Sequence, residues 1–328
     1  MNLDAIFESF NNKRVLVIGD VMIDAYILGK VSRISPEAPV PIINFDKKED
    51  RLGGAANVAL NLVSLGASPI ICSVIGNDSN AEVMKNLLAE NHISSDGLVV
   101  SPERKTTVKT RVIGNNQHLL RIDDEQVNSI SRDEENLLIA KVEKLISSGV
   151  DGIIFEDYNK GVLTQRVIET IINLANEQAV VTVVDPKKEN FFAYKNVTLF
   201  KPNLKELKEG MNTQFSFPKE INLFEDSVSA LEAKLNNKIS FITLSEHGVF
   251  IKDQSDKYFV PAHLRNIADV SGAGDTVISV AALCLIAGCS IHQLAQIANI
   301  AGGLVCEKSG VVAIDKNELQ IEAELLVK

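Results

Sequence analysis

A surplus of cations is the first thing this sequence lacks. Its 328 residues carry 33 Lys and Arg against 43 Asp and Glu, a formal net charge of −10. That balance argues against nucleic acid or an anionic membrane as partner, while a phosphorylated small molecule needs only a local group of cations. Cysteine is sparse as well. Cys72, Cys284, Cys289 and Cys306 show no C-x-x-C spacing and lie mostly in apolar helical pattern, so they read as buried reduced thiols, not as a disulfide framework or metal site. The five histidines form no H-E-x-x-H and no close pair, which argues against a histidine-bound metal. Met1-Asn2-Leu3-Asp4-Ala5 has no basic start leading into an apolar run, and the most apolar helical stretch, 277–287, is shorter than the roughly 20 residues that cross a bilayer. The expectation is a cytoplasmic protein without a membrane partner.

Two nucleotide signatures are also missing. No G-x-x-x-x-G-K-[ST] occurs, which removes P-loop chemistry. Gly272-x-Gly274-x-x-Val277 has valine where a dinucleotide-binding turn needs a third small residue, and it falls late in the chain; a nicotinamide-dependent dehydrogenase is set aside. There is no internal repeat, low-complexity tract or long linker.

What is present is a 45% hydrophobic chain in which strand and helix signals alternate. Arg14–Gly19 is a continuous apolar run of the kind found in central parallel strands, and further strands are expected at 69–75, 152–155, 180–184, 197–200 and 240–244. Ser131 with Glu134 and Ser290 with Gln293 have capping-box spacing. Leu52-Gly53-Gly54-Ala55-Ala56-Asn57 is expected to open a small-residue helix ending near Leu65. Two stretches break the pattern. Residues 22–50 alternate and contain Pro36, Pro39 and Pro41, which predicts short strands and turns. Residues 106–123, turning at Gly114-Asn115-Asn116, predict a β-hairpin. The reading is one doubly wound α/β domain over residues 1–328, with insertions at about 22–50 and 97–123 paired into a small β-sheet lid.

One segment carries chemistry: Asp269-Val270-Ser271-Gly272-Ala273-Gly274-Asp275-Thr276. Two glycines in a strand-to-helix turn allow close backbone approach, and the following helix start offers free N–H groups and a positive dipole end. Asp275 inside that anion site makes sense if the anion is a phosphoryl group in transfer and Asp275 takes the proton from the attacking hydroxyl.

Gly272-Ala273-Gly274-Asp275, the Leu52–Asn57 turn and Lys201-Pro202-Asn203-Leu204-Lys205-Glu206 together resemble the ribokinase-like (PfkB) carbohydrate kinases, in matching order across essentially the whole chain. Four segments resemble more specifically the family's bacterial heptose 7-phosphate kinases: Gly19 to Asp24, Ser32 to Pro41, Arg111 to Arg121, and Asp157-Tyr158-Asn159-Lys160-Gly161. The resemblance implies a ribokinase-like fold, ATP and Mg2+ as cofactors, and phosphorylation of D-glycero-β-D-manno-heptose 7-phosphate at O1; a monovalent cation stays open. It implies Asp275 as base, with Gly272, Ala273 and Gly274 supplying backbone N–H groups. Asp24, Gly53, Gly54 and Asn57 would meet the sugar. Arg111, Lys160 and Lys187 lead the candidates for its distal phosphate, ahead of Arg33, Lys109 and Arg121. Asn203, Leu204, Lys205, Glu206, Thr243, Ser245, Gly248 and Asn299 would line the nucleotide site, Asn203 and Glu206 holding magnesium through water, with Asp185 as a further water-mediated partner. Asp20 is left between a structural role and a sugar contact. By analogy a homodimer forms through the lid. Since some such kinases are fused to a nucleotidylyltransferase and this pattern ends near Lys328, the stand-alone form is expected. Two alternatives stay open: a kinase for another sugar, sugar phosphate or nucleoside, and a non-catalytic sensor on the same fold.

Overall fold

Apolar strand segments without alternation need both faces covered, and the fold supplies that cover. A computed structural model describes residues 2–327; Met1 and Lys328 lie outside the described residues. The chain begins with α1 (Leu3–Ser9), β1 (Arg14–Gly19), β2 (Val21–Ile34), β3 (Pro41–Gly54) and α2 (Ala55–Ser64). It continues through β4 (Ser68–Gly76), α3 (Ser79–Glu90), β5 (Ser94–Ser101), β6 (Val108–Gly114), β7 (Gln117–Asp124), α4 (Arg132–Ser147), β8 (Gly152–Glu156) and α5 (Gln165–Glu177). Then come β9 (Val181–Asp185), β10 (Leu199–Phe200), α6 (Leu204–Met211), α7 (Ile221–Leu235), β11 (Ile239–Thr243), β12 (Val249–Lys252) and β13 (Lys257–Val260). The last elements are α8 (Ala273–Ile286), α9 (Ile291–Cys306) and α10 (Lys316–Leu326).

Nine strands form one sheet in the order β13-β12-β11-β10-β9-β8-β1-β4-β5. It is parallel from β11 to β5, and β12 and β13 add an antiparallel edge. Apolar side chains fill both sides: one core joins α2, α8 and α9 to the sheet, the other joins α4, α5 and α7. This is the expected doubly wound arrangement, with the strand order reversing beside β1. A second sheet, β3-β2-β6-β7, stands apart from it.

Several boundaries differ from expectation, each for a local reason. Where short strands were expected within 22–50, two 14-residue strands run from Val21 to Ile34 and from Pro41 to Gly54. Pro36 and Pro39 fall in the connection and Pro41 is the first residue of β3, where proline removes no needed ladder bond. Leu52-Gly53-Gly54 ends β3 and does not open a helix; α2 begins at Ala55 with Gly54 at its N-cap, φ 59°. Residues 97–101 do not belong to the inserted sheet: β5 pairs in parallel with β4 at the main sheet's edge, Gly97 opposite Cys72. The expected strand 197–200 shrinks to Leu199–Phe200. All four cysteines are buried and free. Among the described residues no helix is long and apolar enough to cross a membrane.

Candidate active site

The helices α2 and α8 pack against each other, and both start with glycine at positive φ, Gly54 at 59° and Gly272 at 79°. Side chains at those caps are disfavoured on conformational grounds alone. At Gly53 the reason is space: a Cβ there would lie 2.4 Å from Asp24 Oδ2.

Asp275 sits in the first turn of α8, 7% exposed. Asn57 Nδ2 donates to its Oδ2 at 2.5 Å and the Tyr158 hydroxyl donates to its Oδ1 at 2.9 Å. Burial raises its pKa to about 6; the Asn57 donor opposes that, the Asp185 charge adds to it, and the Tyr158 hydroxyl lowers it again. Asn57 is itself fixed, because Asn61 Nδ2 donates to its carbonyl at 2.9 Å and Asn61 Oδ1 accepts from Thr276 Oγ1 at 3.0 Å.

Tyr158 arrives on the loop after β8. That loop is held by Asp20, whose carboxylate accepts from the backbone N–H groups of Tyr158 (3.0 Å), Lys160 (3.1 Å) and Val162 (3.1 Å). Burial lifts the Asp20 carboxyl to about 6, against those three donors. Asp20 therefore serves as a scaffold for the loop.

A buried charge group lies beyond the base. Lys201 Nζ is 2.8 Å from Asp185 Oδ2, with the two side chains 3% and 7% exposed. Lys187 Nζ reaches Glu206 Oε1 at 2.7 Å and Asp185 Oδ1 at 3.6 Å. Burial works against the charged forms here, but Lys201 and Lys187 hold Asp185 below the usual carboxylate range, while Asp185 and Glu206 raise both lysines. Glu156, at the end of β8, is pushed well up by burial and then by the charges of Asp185 and Asp275; its Oε2 has no hydrogen-bond partner.

Asn203 and Glu206 form a capping box for α6: Asn203 Oδ1 accepts from Glu206 N and Glu206 Oε2 from Asn203 N, each at 2.9 Å. Among the described residues no three His, Cys, Asp or Glu side chains converge as a metal cage. Both Glu206 oxygens have one partner each, and a carboxylate oxygen accepts two, so Glu206 keeps capacity for a water of a magnesium shell.

On the other side of Asp275, Arg111 Nη1 lies 2.6 Å from Asp24 Oδ1. A cavity of about 200 Å³ is lined by Asp24, Tyr26, Arg51, Asn57 and Val311 among others. The guanidinium groups of Arg51 and Arg111 flank the Tyr26 ring at 4.7 and 5.4 Å. Lys160 and Lys109 share Glu125, at 2.6 and 3.3 Å. Lys187, expected with these cations, stands instead with Asp185 and Glu206. Of the expected nucleotide residues, Leu204, Lys205 and Ser245 line a cavity of about 510 Å³ with Lys188, Lys208 and Gln214. Thr243 bridges to Asn203, Gly248 ends the short turn Ser245–His247 at φ 89°, and Asn299 Nδ2 donates to the Pro261 carbonyl at 2.8 Å. Neither Gly248 nor Asn299 lines that cavity.

Sequence reasoning passed over Tyr158, Glu156 and Arg51. Glu156 had a signal, an acid ending an apolar strand; Arg51 had only its place closing the charged run 47–51, just before Leu52-Gly53-Gly54. Tyr158 offered none beyond its place in Asp157–Gly161.

Residues 12–317 match the description pfkB family carbohydrate kinase. The bifunctional protein HldE of Aliarcobacter butzleri is 40% identical over 305 residues, covering 93% of this chain and 63% of that protein. The chain spans less than two thirds of the length of the curated relatives it first matches. Phosphofructokinase-2 from Escherichia coli in complex with potassium superposes with a TM-score of 0.77 at 18% identity, over 97% of this chain and 100% of that one. Arabidopsis thaliana ribokinase complexed with ribose and ATP gives 0.68 at 15%, over 94% and 99%. At such identities the two structures speak for the fold.

Proposed function

Because the chain belongs to the pfkB family of carbohydrate kinases, we propose that its acceptor is D-glycero-β-D-manno-heptose 7-phosphate, phosphorylated by ATP at O1. The observation that carries this reading is the Asn57–Asp275 bond, which ties the buried acid of the late glycine turn to the early Gly-Gly turn and the cavity beside Asp24. Asp275 takes the O1 proton, O1 bonds to the γ-phosphorus, and the bond to the bridging oxygen breaks, leaving heptose 1,7-bisphosphate and ADP. A base with pKa about 6 is ionised at neutral pH yet still basic enough to work. The N–H groups at Gly272 and Gly274 face the transferred charge at the positive end of α8, and Ala273 N, which donates to the Val270 carbonyl at 3.3 Å, joins them only by giving up that bond.

Asp24 and Asn57 bind the sugar, Gly53 and Gly54 give it room, and Arg51, Arg111 and Lys160 face the 7-phosphate. Leu204, Lys205, Thr243, Ser245, Gly248 and Asn299 belong to the nucleotide side, with Lys187 on the phosphates. Magnesium, when bound, neutralises the nucleotide phosphates; Asn203 and Glu206 would hold its water. A monovalent cation is a further proposed requirement, supported by the potassium in the phosphofructokinase-2 complex. The second sheet is the lid, with the whole described chain serving as one kinase domain in the cytoplasm. The lid's exposed Ile34, Phe45, Leu120 and Ile122 support a homodimer through that sheet.

The test is ADP release over a panel of sugars, sugar phosphates and nucleosides. Heptose 7-phosphate is expected to give the highest kcat/KM. Faster turnover of ribose, a fructose phosphate or adenosine overturns the acceptor but not the family.

A further inference from the structure

We infer that Tyr158 is a positioning residue for the base, holding Asp275 through its hydroxyl and linking it to the nucleotide side through its ring. The inference rests on the reading of Asp275 as base. A carboxylate with one fixed partner can still rotate about its last bond. Asp275 has two, from opposite sides: Asn57 on Oδ2 and Tyr158 on Oδ1. Together they fix the carboxylate plane and leave the remaining lone pairs for the acceptor hydroxyl.

The tyrosine is itself anchored. Its backbone N–H is held by Asp20, while Asp157 next to it accepts from Asn159 N (2.8 Å) and from the Tyr194 hydroxyl (2.8 Å). Lys187 Nζ lies 5.8 Å from the centre of the Tyr158 ring, and the same ammonium holds Glu206 at 2.7 Å. A continuous path thus runs from Asn57 through Asp275, Tyr158 and Lys187 to Glu206. Burial keeps the Tyr158 hydroxyl protonated, with the Asp275 charge adding to the effect, so it remains a donor throughout the working range. The other groups facing Asp275 are Asp185, Glu156 and Lys201. None of these makes a hydrogen bond to it, so the hydroxyl has no substitute.

The experiment compares Tyr158→Phe with wild type and with Asp275→Asn. Phenylalanine keeps the ring, its packing and the Lys187 contact and removes only the donor. Expected are a thermal midpoint lowered by no more than about 3 °C at neutral pH, a fall in kcat of about 10- to 100-fold with KM for both substrates within about twofold, and an acid limb of kcat/KM moved upward from about 6 by roughly one pH unit. A Tyr158→Phe enzyme whose limb stays in place overturns the inference, even if its rate falls, because a packing role moves rate without moving the limb. Full turnover in Asp275→Asn is the separate result that removes the base assignment and this inference with it.

Discussion

Asn57 Nδ2 and Asp275 Oδ2 lie 2.5 Å apart across 218 positions of sequence. The amide can only donate at that contact, so the carboxylate stays free of a competing proton. Asn57→Asp replaces the donor with a second acid at nearly the same place. Two carboxyls so close share one proton near neutrality. Turnover at pH 7 is expected to fall about 10²-fold and to recover partly at higher pH, as the shared proton leaves. A pH–kcat profile of the variant checks both.

The raised Asp275 carboxyl also has a stability consequence. Its folded pKa, about 6, lies above its ordinary value of 3.8. Below the lower value the acid is neutral in both states and costs nothing; between the two, the unfolded state ionises first and stability is lost as pH rises. Asp275→Asn cannot ionise. The variant is expected to be more stable than wild type in urea, with a difference that is small at pH 4, grows to about pH 6 and is flat above. A difference independent of pH contradicts the shift.

Much of this site could be read from the chain, because glycine spacing and strand ends are local signals. Gly272-Ala273-Gly274-Asp275 marked the approach to α8, although the helix expected at 277–287 begins at Ala273 and takes Asp275 into its first turn, and β1 had the bounds Arg14–Gly19 that its apolar run suggested. What escaped was set by long-range pairing. Residues 97–101 alternate too little to be told from lid strands, and only their register against β4 places them in the main sheet. Tyr158 carries no sequence mark of its own role; Asp20, 138 positions earlier, turns it toward Asp275. Lys187 looked like one more cation for a sugar phosphate, and its neighbours Asp185 and Glu206 are set by where β9 ends and α6 begins.

Arg51 tests the distal phosphate side. Its guanidinium borders the cavity and stacks on Tyr26, with Glu49 as its ion partner at 2.6 Å. Unlike Arg111, it holds no buried carboxylate, so its removal leaves Asp24 paired. Arg51→Ala is expected to raise KM for the phosphorylated sugar about 10-fold or more, the loss of one charge-assisted contact, with kcat nearly unchanged. The unphosphorylated sugar should not distinguish variant from wild type. Equal loss for both acceptors would move the phosphate away from this arginine.

Lys201 and Asp185 are the place where stability and chemistry meet. Both are almost without solvent contact, so their charges were taken out of water on folding and depend on each other. Lys201→Met leaves Asp185 with Lys187 alone, at 3.6 Å. Removing one partner of a buried pair costs about 3–5 kcal/mol, and a lower urea midpoint of that order is expected. Asp185→Asn in the same chain should restore part of it, since no uncompensated charge remains. Activity should not return with stability, because Lys187 would then lose one of the two carboxylates that place it between Tyr158 and Glu206. Recovery of both together would mean that this charge group only supports the fold.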